Sequence, residues 1–210
     1  MPFTLAHPAI ILPLTRIPKY FNPTALVIGS LAPDFEYFFR FEATSTISHS
    51  ILGILVFNLP LVFLLSYIFH FVIKKPFLQH LPSPFDKYYS HYSQTTFSLN
   101  SFKKSLVFII SAIIGSASHV LWDNFTHIHG YFVELIPSLQ NEVMSGWQLY
   151  KLLQHGSTII GLVMVSLFCL SKRRVTTNFK PMATHAKQGY WINLITLTPP
   201  AVDHTQLPVK

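Results

Sequence analysis

The chain has 210 residues, half of them apolar and 15% aromatic, and only 11% are charged, against about 25% in an ordinary soluble domain. Its net charge is +7 and its mean hydropathy +0.40, values that exclude a typical water-soluble domain. The basic residues sit in short clusters beside apolar runs, as the positive-inside rule produces, and not along a stripe as in a nucleic-acid binder. No nucleic-acid partner is expected.

In the N-terminal third, Leu5 to Leu14 and Ala25 to Ala32 are apolar but too short to span, and Pro8, Pro13, Pro18, Pro23 and Pro33 interrupt them. Such pieces predict short re-entrant or interfacial helices packed on the spans. Thr4 is placed to cap a helix opening at Pro8. The first run long enough to cross a bilayer is Ile51 to Ile73, with a kink expected at Pro60. A polar, aromatic loop from Lys74 to Lys104 follows. The second span, 105–122, contains Gly115, Ser116, Ala117 and Ser118, small residues that let a neighbouring helix approach closely. The third, strictly apolar only from Gly156 to Leu170, must extend back toward Leu149 to reach the roughly 20 residues a span needs. That extension carries Gln154 and His155 into the bilayer. Residues 175–210 have little periodicity and are expected to form a loose tail. The predicted fold class is all-α: a multi-pass membrane helical bundle in one domain, 1–174, with spans at about 51–73, 105–122 and 149–170. Cys169 is the single cysteine and forms no intrachain disulfide. Met1-Pro2-Phe3 lacks the basic start of a secretory signal.

Charge sets an orientation. Lys74 and Lys75 follow the first span, Lys103 and Lys104 precede the second, and Lys172, Arg173 and Arg174 follow the third. No Lys or Arg lies between Lys104 and Lys151. Three alternating spans put all three clusters on one side, which should be cytoplasmic. The N-terminus and the 123–150 loop then lie outside, with only Arg16 and Lys19 discordant. His7, Asp34, Glu36, His49, Asp123, His127, His129 and Glu134 all fall on the outer side, and His119 and His155 lie near the outer ends of their spans.

The sharpest motif is Ser118-His119-Val120-Leu121-Trp122-Asp123-Asn124-Phe125-Thr126-His127. His119, Asp123 and His127 are four apart and share one helical face. Neutral imidazole and carboxylate suit zinc and similar divalent ions. His119 and His127 lie about 12 Å apart along a regular helix, too far to share one ion. Either the helix breaks near Asn124, or Asp123 stands between two metals, as in sites that clamp a hydrolysed ester. The plain alternative is a histidine–aspartate set facing water at a helix end. Ionisable groups within a span are costly and favour function, and His7, Asp34 and His49 add donors on the same side. Each also has a bland reading: a solvated terminal histidine, a turn aspartate, an interfacial cap. His155 is either a further ligand or an interhelical hydrogen-bonder. Glu36 either orients a ligand histidine or is a surface charge. Trp122, Tyr37 and Trp147 read as interfacial aromatics.

The opening MPFTLAHPA, the segment GSLAPDFEYFFR, the SHSILG before the first span and the block SHVLWDNFTHIHG resemble an uncharacterised bacterial membrane-protein family, domain of unknown function 4184, over residues 1–172. That family is distantly similar to inner-membrane metal-dependent hydrolases. The resemblance implies a bacterial cytoplasmic-membrane location and, residue by residue, a metal-ligand set of His7, Asp34, His49, His119, Asp123 and His127, with zinc the expected ion. It implies a hydrolase of an ester or phosphoester, with a lipid-linked substrate expected from a site at headgroup depth. The family continues with further apolar sequence after the basic cluster, whereas Asn193 to Lys210 has no clear span, so a truncated or shifted end is expected here. The rival class is non-catalytic: a multi-pass protein that binds metal structurally, or serves a partner or a transport step.

Overall fold

One long helix organises the first half of the fold, and its sequence explains why. From Phe102 to Thr126 the buried residues are Phe108, Ser111, Ala112, Gly115, Ser116, His119, Asp123 and Thr126, a recurrence of three and four that marks one helical face. The Ser101 hydroxyl caps its start by accepting from Lys104 N. In the computed structural model of the chain, residues 3–42, 44–175 and 179–197 are described. The helices in chain order are α1 (Pro8–Ile11), α2 (Pro23–Leu31), α3 (Phe35–Arg40), α4 (Ile51–Gln79), α5 (Phe85–Tyr89), α6 (Phe102–Thr126), α7 (Tyr131–Leu135), α8 (Leu149–Ser171) and α9 (Thr184–Leu197). The protein is mostly helical, and α4, α6 and α8 are long and apolar enough to cross a membrane. A two-stranded antiparallel hairpin, β1 (Glu142–Met144) with β2 (Trp147–Gln148), departs from the all-α expectation. It turns through Ser145 and Gly146, both at positive φ.

The chain divides into two compact units, one from the described parts of 1–72 and 96–172, the other from those of 73–95 and 173–210. In the first, α2 lies directly against α6. A Cβ on Gly29 would come within 2.7 Å of Ala112 O, and one on Gly115 within 2.4 Å of Leu26 O, so only glycine permits this approach. Ser116 donates across the seam to Gly29 O at 3.1 Å. Of the expected small-residue stripe, Gly115 and Ser116 form this contact, while Ala117 and Ser118 are half-buried. Ala25, Ala32, Leu61, Val62, Phe108 and Ala112 make a buried apolar cluster at the junction with α4. Between membrane helices such packing, not transfer from water, holds the contact. Ahead of Pro60, α4 widens into a π-helical stretch at Ile54–Asn58, consistent with a proline that cannot donate to the turn before it.

The N-terminal strand of chain seats on α8. Phe3 N donates to Thr158 Oγ1 at 3.1 Å, and Gly161 lets Ala6 approach so closely that a Cβ there would meet Ala6 O at 2.8 Å. Thr4 does not cap α1 as expected: it lies in a 3-10 turn, and its hydroxyl goes to Asp34. The apolar Ile159, Ile160, Val163 and Leu167 of α8 are exposed, as a lipid-facing span requires.

In the second unit the expected loose tail contains α9, held by contacts far away in sequence. Lys187 pairs with the fully buried Asp86, Trp191 Nε1 donates to His80 O at 2.8 Å, and the Tyr190 ring stacks on His80. No local periodicity announces such a helix. Residues 176–178 and 198–210 of that expected tail lie outside the described residues.

Candidate metal centre

The buried face of α6 carries His119 and Asp123 into the first unit. The helix then ends at Thr126, and His127 turns to an extended backbone (φ −118°, ψ 143°). Its N–H donates to Asp123 O at 3.0 Å, so the break comes at His127, three residues beyond the expected place. That turn brings His127 back toward Asp123.

Asp123 stands at the centre. Its Oδ2 lies 3.2 Å from His119 Nε2 and 3.3 Å from His49 Nε2. Its Oδ1 lies 3.6 Å from His7 Nε2 and 3.6 Å from His127 Nδ1. Across the cluster, Asp34 Oδ1 lies 3.3 Å from His119 Nε2 and 3.8 Å from His49 Nε2. The His7 ring stacks on that of His119 at 3.6 Å between centroids. One ligand atom from each of Asp34, His49, His119 and Asp123 can be chosen so that all lie within 4.8 Å of one another.

These distances fit a shared cation. Ligand atoms about 2.0–2.1 Å from a tetrahedral zinc lie roughly 3.4 Å apart, and the four histidine–carboxylate separations run from 3.2 to 3.8 Å. Two carboxylates and two neutral imidazoles also balance a double positive charge. Seven buried side-chain atoms here have no hydrogen-bond partner: both ring nitrogens of His7, Asp34 Oδ1, His49 Nε2, His119 Nε2, Asp123 Oδ1 and His127 Nε2. Only three others do among the described residues, Asn58 Oδ1, Ser66 Oγ and His91 Nδ1. Unpaired buried polar atoms are rare and costly, so their concentration in one cluster points to a ligand.

The surroundings orient the rings. His119 Nδ1 lies 2.8 Å from Ser30 O. A carbonyl only accepts, so Nδ1 carries a proton, and in the neutral ring Nε2 then presents a lone pair to the cluster. The close α2–α6 seam puts Ser30 there. His127 Nδ1 is held likewise, 3.0 Å from Asp123 O. His49 Nδ1 contacts Ser48 Oγ at 2.9 Å. The Thr4 hydroxyl donates to Asp34 Oδ2 at 2.5 Å. Burial, reinforced by the stacked His119, pushes the His7 imidazole down to about 4, into the neutral form a cation requires. Burial alone would raise the Asp34 carboxyl, but His119 and Thr4 beside it hold it below its ordinary value. Tyr37, whose ring lies 5.5 Å from that of His49, is pushed up to about 12 by burial.

Glu36 acts on the backbone ahead of His49, not on a ring. Its Oε2 accepts from Ser48 N at 2.7 Å and Ile47 N at 3.1 Å, and its Oε1 from Thr46 N at 3.0 Å and Arg40 Nε at 2.7 Å. Burial would raise its carboxyl, yet these donors, Ser48 first, hold it well below the usual carboxylate range. Asn58 grips the same loop, donating from Nδ2 to Ser48 O at 2.8 Å. Thr4, Ser30, Ser48 and Asn58 were not picked out by sequence reasoning as parts of the site. Only Asn58 carried a signal, as an amide in the middle of an apolar run. His155 is not brought into the cluster: it is exposed on α8, with the Trp147 ring edge-on at 5.2 Å.

Fold and site together define a mostly helical protein of membrane type, with three helices of spanning length and a buried aspartate–histidine group able to hold a cation. The chain belongs to the family described as domain of unknown function (DUF4184), whose model matches residues 1–206, well past residue 172. No curated protein matches the chain, and no solved structure does.

Proposed function

We propose that this protein is a membrane-embedded, metal-dependent hydrolase of an ester or phosphoester. The observation that carries the reading is the set of seven buried, unpartnered side-chain atoms gathered on His7, Asp34, His49, His119, Asp123 and His127. Asp34, His49, His119 and Asp123 hold the ion, zinc by the chemistry of the set, and His7 and His127 lie against the free oxygen of Asp123. Such an ion supplies Lewis acidity and water activated near neutral pH. His119 is fixed by Ser30 in the tautomer that offers Nε2, and Glu36 holds the loop that delivers His49. The side chains of His49 and His127 are 19% and 30% exposed, so a substrate reaches the cluster from their side. The clustering of Lys and Arg supports an outward-facing site at headgroup depth in a bacterial cytoplasmic membrane, hence a lipid-linked substrate.

A second reading has an observation in its favour. Four protein ligands close a tetrahedral shell, which marks structural zinc, and three of these four are buried. Purified protein separates the two. The hydrolase reading expects bound zinc, hydrolysis of bis(p-nitrophenyl) phosphate or p-nitrophenyl acetate that stops with chelator and returns with zinc, and loss of both ion and activity in Asp123→Asn. Tightly held zinc with no hydrolysis of either compound supports the structural role. A topology reporter in the 123–150 loop tests the orientation, and a cytoplasmic signal refutes it.

A further inference from the structure

The cluster shares a residue with a crevice that the hydrolase reading does not use. Within the first unit a crevice of about 350 Å³ lies between the N-terminal turn with α1 and the face of α8 that carries Gly156, and its rim, at Ile10 and Ile160, is exposed. Ala9, Ile10, Leu153, Gly156, Ile160 and Met164 line it, together with His7. Its volume lies in the ligand-sized range, roughly 300–1,000 Å³. Its other polar side chains, Trp122 and Ser157, bond to each other at 3.1 Å, so little is left for a polar occupant. A water molecule needs two to four polar partners to stay, and beyond the His7 ring this wall offers few.

We propose that the crevice takes a single hydrocarbon chain of a membrane amphiphile, whose polar head then lies toward the metal centre. The proposal rests on the hydrolase reading for the fate of the head, but not for the binding of the chain. Three observations carry it. His7 belongs both to the crevice wall and, through its stack on His119, to the cluster, so a ligand in the crevice abuts the site. The crevice is formed by a helix of spanning length whose other residues, Ile159 and Val163, are exposed and apolar, so the medium beside it is acyl chain and not water. Finally, a Cβ built on Gly156 has no other atom within 4 Å. This helix position therefore faces open space, although glycine is a poor residue inside a helix. Gly161, five residues on, is different: the space beside it is filled by Ala6.

The vacancy at Gly156 supplies the test. Gly156→Leu places a side chain in the crevice without touching backbone, and Ile160→Trp fills it from a second position. Protein in nanodiscs containing a phospholipid with a diazirine in mid-chain is irradiated, and labelled residues are mapped by mass spectrometry. We expect labelling at Ala9 and Leu153 several-fold above that at the outward Ile159 and Val163, and a several-fold loss at Ala9 and Leu153 in both variants, with bound zinc unchanged. Equal labelling of crevice and outward residues means ordinary surrounding lipid and overturns the proposal, as does labelling that neither variant reduces. Crevice labelling in a protein that binds no zinc sinks the hydrolase reading and leaves the chain site standing.

Discussion

Replacing Glu36 by glutamine probes how the loop before His49 serves the cluster. The amide keeps one accepting oxygen and turns the other into a donor. The least costly rotamer keeps Oε1 for Thr46 and Arg40 and sets the amide nitrogen against Ser48 N and Ile47 N. Ile47 is exposed and can turn to water, whereas Ser48 is fully buried and cannot. An unpaired buried donor costs about 1–3 kcal/mol, and lost bonds to a charged acceptor lie at the upper end. Taking about 2–3 kcal/mol as the cost of the loop's present shape, and requiring that shape for His49 to bind, zinc affinity falls by about 30- to 150-fold, the upper part of the usual effect of a residue supporting a ligand. Competition with a chromophoric chelator measures the affinity, and hydrogen exchange follows the amides of Ile47 and Ser48, which should exchange faster. Glu36→Gln protein with wild-type affinity and unchanged exchange at those amides would refute the reasoning.

His127→Ala should weaken zinc binding and His155→Ala should leave the stoichiometry untouched, because only the first lies beside Asp123; elemental analysis of both variants decides. Gly115→Ala drives a Cβ to 2.4 Å from Leu26 O and should cost about 1–3 kcal/mol by overpacking, read as a lower Tm, whereas Gly156→Ala meets nothing and should raise the Tm slightly. The Asp86 carboxyl would be raised by burial, but Lys187 beside it holds it below its ordinary value. A depressed carboxyl contributes stability that is present above its unfolded value and lost as pH falls through the folded one. Amides of α9 should therefore be protected at neutral pH and lose protection only in acid, below the usual carboxylate range. Asp86→Asn should loosen α9 at neutral pH by about 3–5 kcal/mol, the cost of stranding one partner of a buried pair; unchanged exchange in α9 would contradict this.

What could be read in advance followed physical period and cost. The three long apolar runs, the recurrence of His119, Asp123 and His127 on one face, and the expense of placing them in a span were all visible; a helix break near Asn124 was one of two alternatives, the other being Asp123 between two metals. The convergence of His7, Asp34 and His49 on that face was not derivable from spacing. It depends on the glycine contacts of α2 with α6 and of Ala6 with Gly161, which join residues far apart in the chain. Helix α9 was missed for the same reason, since Asp86 and His80 hold it from about a hundred residues away. His155 misled because an ionisable residue in a span looks functional, yet it points away from the packed face.

The most direct test is the zinc content per chain of protein purified in detergent, loaded with zinc and dialysed, for the wild type and for His119→Ala and Asp34→Asn. At least one ion per wild-type chain, retained through dialysis and lost in both variants, is the result expected. A wild-type chain that retains none would mean that His119 stands between Asp34 and Asp123 as a proton-bearing ion-pair partner, and the metal centre would have to be abandoned.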